Sequence, residues 1–189
     1  MNLKRLAYKC CMAALLANLS LFNASVNAQV DLNHKAQLTA AFIYQITKFT
    51  LWPEALFTQA NSSFSICILG QADAELYQYL AELETKSTQG YNIEVVQLQD
   101  KEQLLNLSEK NCAVLYANDE QWDSLSKQEI AQLTQTTLLI GTSKHFLQQG
   151  GMLALIIIDN KMKIFINSNN IDNTPIKLES RLKALTKSV

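Results

Sequence analysis

The chain has 189 residues, 16 Lys and Arg against 17 Asp and Glu, and 48% hydrophobic residues. A near-neutral chain with no basic stripe cannot neutralise a row of phosphates, which excludes nucleic acid as a natural partner and speaks equally against an anionic membrane surface. The length suits one domain with a substantial core, and no internal linker, repeat or low-complexity segment suggests a second.

The N-terminus reads as an export signal. Lys4, Arg5 and Lys9 form a positive start, with no acidic residue before Asp31. The run from Cys10 to Phe22 is apolar apart from Asn18 and Ser20. At about 13 residues it has the length of a signal core, whereas a membrane-crossing helix needs roughly 20. Val26-x-Ala28 places small side chains where a signal peptidase requires them, so cleavage is expected between Ala28 and Gln29. The alternative is a short anchor or a buried helix. Removing 1–28 takes away three basic residues and leaves 13 against 17 acidic ones, a net charge near −4. The expected organisation is a signal over 1–28 and one periplasmic domain over 29–189, with no membrane insertion of its own.

Export also changes the cysteine count. Cys10 and Cys11 leave with the signal, and Cys67 and Cys112 remain. A pair in an oxidising compartment is a disulfide candidate, closing a loop that would stabilise by roughly 4 kcal/mol in the chain-entropy model. The alternative is two buried free thiols. They do not form a CxxC motif, and with two scattered histidines they do not make a zinc site.

After the signal, Asn33–Trp52 has a helical pattern with Leu38, Phe42, Ile46 and Phe49 on one face, Asn33 as N-cap and Trp52-Pro53 as the stop. Tyr44, Lys48 and Leu51 form a second strip on that helix, read either as a binding surface or as a further packed face. Strands and helices then alternate. Strands are expected at Phe64–Leu69, Ile93–Leu98, Ala113–Ala117 and Thr137–Ile140. Helices are expected at Ala72–Leu83 (with Leu76, Leu80 and Leu83 inward), Lys101–Leu107 and Gln121–Leu133, with one turn at His145–Gln148. Met152–Ile158 and Lys161–Ile166 flank Asp159-Asn160, a two-residue link suited to a hairpin. LALIII reads as a strand buried on both faces, and KMKIFIN alternates as an edge strand should. Leu178, Leu182 and Leu185 mark a closing helix. The expected fold is α/β: a mixed, mostly parallel sheet, helices on both faces, and a C-terminal hairpin plus helix.

Tests for chemistry come back empty, so no catalytic, cofactor or metal residues are assigned. The glycines form neither GxGxxG nor a P-loop. No serine lies in GxSxG, and neither His34 nor His145 sits in a triad-like setting. Asp119-Glu120 reads as solvated loop or helix N-terminal charge. Gly70 and Gly141 end strands where open α/β sheets bind ligands, which keeps a small-ligand-binding module as the alternative reading.

Taken together the motifs resemble the YfiR-like periplasmic proteins. AFIYQITKFTLWP (Ala41 to Pro53) is similar to that family's AFxYxFxKFxxWP signature. SICILG, the Cys112 strand, LLIGTSKHFLQQGGMLALIIIDNKMKIFIN (Leu138 to Asn167) and LESRLKAL (Leu178 to Leu185) follow in the family's order. Gln45, Ile46 and Asn160 depart from its commonest residues. The resemblance implies a periplasmic regulator, not an enzyme. It implies a protein that represses an inner-membrane diguanylate cyclase by binding its extracytoplasmic sensor domain, and so controls cyclic di-GMP and biofilm. It also implies a Cys67–Cys112 disulfide and a homodimer.

Overall fold

The computed structural model describes residues 23–57, 63–70, 74–107 and 112–189. It divides into two units, Met1–Lys35 and Ala36–Val189. Of the first, the described residues 23–35 are helical; the signal segment before Asn23 lies outside the described residues.

Helix α1 spans Asn23–Lys48. Asn33 is therefore inside a helix and not its cap: no glycine or proline interrupts the chain between 23 and 48, so a capping side chain alone does not impose a start. The inward face is set by Ala36, Ala40, Ile43 and Ile46. Of the expected stripe only Ile46 is fully buried, while Phe42 and Phe49 pack from the flanks. The two alanines let the helix sit close. Thr50–Leu51 (β1) end it before Trp52-Pro53 is reached, because they pair antiparallel with Lys177–Leu178 (β9).

The main sheet has eight strands, with parallel pairs at its centre. Phe64–Leu69 (β2) lies between Tyr91–Leu98 (β4) and Cys112–Tyr116 (β5). Beyond β5 come Leu138–Gly141 (β6), Leu153–Ile158 (β7), Lys161–Ile166 (β8) and Thr186–Ser188 (β10). Ser87–Thr88 (β3) closes the other edge against β4. All six residues of β2 and all five of β5 are buried, as expected of strands covered on both faces.

Helices surround the sheet: α2 (Ala74–Ala81), α3 (Lys101–Leu105), α4 (Asp119–Asp123), α5 (Lys127–Leu133), α6 (Lys144–Gln148), α7 (Ser168–Asp172) and α8 (Ser180–Lys183). Leu76, Leu80 and Leu83 are buried as their spacing predicts. The single helix expected over Gln121–Leu133 is two helices. Ser126 starts the second with a capping box, its Oγ accepting from Glu129 N while the Glu129 carboxylate accepts from Ser126 N.

The C-terminus differs most from expectation. The closing helix is one turn, Ser180–Lys183, with Leu178 buried in β9, Leu182 buried in the turn and Leu185 72% exposed. The chain then adds β10 alongside β8, so β8 is not the sheet's edge. Three leucines at helical spacing satisfy a strand and a turn equally when two of them find apolar neighbours. Among the described residues no helix is long and apolar enough to cross a membrane.

Candidate functional site

The chain reverses direction across the sheet at β2, going first to β4 and then back past β2 to β5. In open α/β sheets ligands bind in the crevice beyond the strand ends at such a point. Here side chains crowd the glycines at that point. A Cβ on Gly70 would meet Gln121 Cγ at 2.6 Å. Farther along, Gly141 and Gly151 both lie against the Phe146 ring, where any Cβ would overlap it. Phe146 is itself fully buried and packs 4.5 Å from Trp122, ring centre to ring centre. The polar side chains at these strand ends are used for capping. Asp100 accepts from Gln103 N (2.9 Å), Asn118 from Gln121 N (2.9 Å) and Ser143 from Phe146 N (3.1 Å). Ser143 Oγ also donates to Asp119 (2.7 Å). At the place suggested by the sequence, Gln121 stands against Gly70 and Phe146 against Gly141, and a cavity of about 350 Å³ lies beside them, lined by Trp122, Asp123, Leu125, Ile130, His145 and Gln149.

Cys67 and Cys112 form a disulfide across the same turning point, with Cα atoms 5.7 Å apart. Cys67 stands opposite Leu115, and Cys112 opposite Ser65, so the bond runs diagonally between neighbouring strands. The register shifts between Ser65 and Ile66, leaving Ala113 as an extra residue in β5. Both cysteines are buried, 1% and 4% exposed, which shields the bond from solvent thiols.

The histidines are not brought together. His34 is exposed on α1. His145 Nε2 lies 3.3 Å from Asp123 Oδ1, both about half exposed, and no serine, threonine or cysteine hydrogen-bonds to that pair among the described residues. No cluster of three His, Cys, Asp or Glu able to hold a metal ion occurs among them either. In the second strip of α1, Tyr44 is half-buried and donates to Ser87 O (3.5 Å), with Lys48 Nζ 4.3 Å from its ring centre. Leu51 is 55% exposed. The strip serves partly as packing against β3.

Exposed apolar side chains occur at Leu51, Leu105, Leu185 and Val189 and, as neighbours in one element, on the β7–β8 ribbon. LALIII was expected to be buried on both faces, yet only its first half is: Ile156 is half-buried, and Ile157 and Ile158 are 37% and 39% exposed. The cause lies in strand lengths. β6 accompanies β7 only at Ile140–Leu153 and Gly141–Ala154, because the chain leaves β6 for α6. β10 accompanies β8 only from Ile164 to Ile166. Residues 156–163 therefore run on as a two-stranded ribbon. Asp159 (φ 52°) and Asn160 (φ 56°) close it, the pair of left-handed residues that a type I′ turn requires. Ile157 and Met162 pair across the ribbon on one face; Ile156–Lys163 and Ile158–Lys161 pair on the other. On the second face Lys144 Nζ stands 4.8 Å from the Phe165 ring. The ribbon thus offers isoleucines and methionine beside Lys161 and Lys163, with Lys144 of α6 nearby and Asp159 its one carboxylate.

A family model described as YfiR/HmsC-like matches residues 36–187. The chain belongs to the YfiR/HmsC-like family. No curated protein matches it. YfiR/HmsC-like proteins are periplasmic regulators of diguanylate cyclase signalling, and they are regulators rather than enzymes.

Proposed function

We propose that this protein binds the extracytoplasmic sensor domain of an inner-membrane diguanylate cyclase and represses it, lowering cyclic di-GMP and biofilm formation. The family carries the class of partner. The observation that supports the mode of action is the β7–β8 ribbon, where Ile157 and Ile158 are partly exposed on a two-stranded element that outruns its neighbours. Exposed apolar side chains on both faces of one ribbon let a partner grip it from either side. Lys144, Lys161 and Lys163 fit a partner patch that is apolar at its centre and acidic at its rim. The same reading holds that the protein has no turnover of its own. It also holds that residues 1–28 are an export signal cut between Ala28 and Gln29, and that the domain pairs with itself as the family resemblance implies. Intact-mass measurement of periplasmic protein checks the cut, and light scattering of the mature protein checks the dimer.

The test is a pull-down and a titration of the mature protein against the periplasmic part of a membrane cyclase encoded beside it. Micromolar or tighter binding that lowers cyclase output supports the reading. No binding to any co-encoded cyclase or sensor kinase overturns it.

A further inference from the structure

We propose that a second, separate site on this protein binds a neutral, hydroxyl-rich ligand of the saccharide class, in a cleft between α5, the end of α6 and α7. The cleft has a volume of about 520 Å³, within the range of small-molecule sites. Its walls carry six carboxamides, Gln135, Gln148, Gln149, Asn169, Asn170 and Asn173, and Lys127 is the one charged residue lining it. No carboxylate lines it.

The cleft is open to solvent, with its glutamines exposed, and its back wall is held in place by the protein's own hydrogen bonds. Asn170 is fixed from behind, donating through Nδ2 to Leu147 O (3.1 Å) and Gly151 O (2.7 Å). Asn167 braces it by donating to the same Leu147 carbonyl (3.0 Å) and accepting from Asn170 N (3.2 Å). At the floor the α5 helix meets the turn closely, which needs glycine at 150: at φ +109° a Cβ there would stand 2.8 Å from Ile130 Cγ2. In contrast to the capping side chains at the strand ends, Gln135, Gln148 and Gln149 make no side-chain hydrogen bond among the described residues and are free to receive a ligand.

The lining chooses the ligand. A carboxamide presents a donor pair and an acceptor side by side, matching hydroxyls that both donate and accept. An anionic or zwitterionic ligand would need opposing charges held at the site, and a single exposed lysine does not supply them. No aromatic ring lines the cleft, so stacking adds nothing, and the expected dissociation constant is on the order of 1 mM.

The experiment titrates the isotope-labelled mature protein by NMR with maltotriose, trehalose and the N-acetylglucosamine trimer, and with a galacturonic acid trimer as charged control. The expected result is saturable shifts of the Gln135, Gln148, Gln149 and Asn169 side-chain amides with at least one neutral sugar below about 20 mM. Gln149→Ala combined with Asn169→Ala, both exposed positions, should weaken that binding about tenfold or more while leaving the remaining spectrum and partner binding unchanged. Absence of cleft shifts with all three neutral sugars overturns the proposal. So does binding of the charged trimer alone, or sugar binding that the double variant does not weaken.

Discussion

Two isoleucine- and leucine-rich strands of one sheet, β2 (FSICIL) and β7 (LALIII), end in opposite surroundings. β2 has strands of matching length on both sides, a disulfide to one of them and Gln121 over its end. Burial is complete along it. β7 begins the same way but outruns β6, and burial fades to exposed isoleucine within six residues. The same residue type is therefore core in one place and surface in the other, decided by the lengths of neighbouring strands. The centre of the sheet is fully buried, and the overhanging ribbon is where apolar side chains reach the surface.

The comparison is broken most severely by attacking the centre. Cys67→Ser should cost the oxidised protein roughly 4 kcal/mol, and reducing agent should lower the wild-type melting temperature similarly. An unchanged melting temperature in both cases would show that the bond contributes nothing. Phe146→Ala should cost about 3–5 kcal/mol, because the two glycines against the ring leave no side chain to collapse into the space. Chemical denaturation measures it. At the ribbon the effects should separate: Ile157→Asp with Ile158→Asp should change stability by less than about 1 kcal/mol, yet weaken partner binding by about 2 kcal/mol, some thirtyfold.

The smallest effect concerns the α5 cap. Hydrogen bonds from the Ser126 backbone, then from its side chain, hold the Glu129 carboxyl below its ordinary value. A depressed carboxyl contributes stability above the unfolded-state value, and that contribution is lost as pH falls through the folded-state value. Glu129→Ala should accordingly lower the melting temperature slightly at pH 7 and not at all in strong acid. A difference that persists or grows in acid would contradict the assignment.

What could be read in advance followed the length of the signal. The six longer strands were legible because alternating βα units leave runs of Ile, Val and Leu bounded by glycine or polar turns. The disulfide was legible from compartment and residue count. β1, β3, β9 and β10 have two or three residues each and no period of their own; their pairing is decided by tertiary contact. The break at Ser126 was present as Ser126-x-x-Glu129 and could have been found. The ribbon was misread because LALIII is apolar throughout, and composition does not say where the neighbouring strand stops. The amide cleft joins residues from 127 to 174, a proximity that exists only once α5, α6 and α7 are placed.

In the proposed function the β7–β8 ribbon, not a cleft beyond the sheet, engages the membrane partner. That engagement is tested most directly by titrating the cyclase's periplasmic domain with the mature wild type and the Ile157→Asp, Ile158→Asp variant side by side. The variant should be folded and disulfide-bonded, with its melting temperature near wild type and its affinity reduced about thirtyfold. Equal affinity for the two proteins would contradict that role of the ribbon.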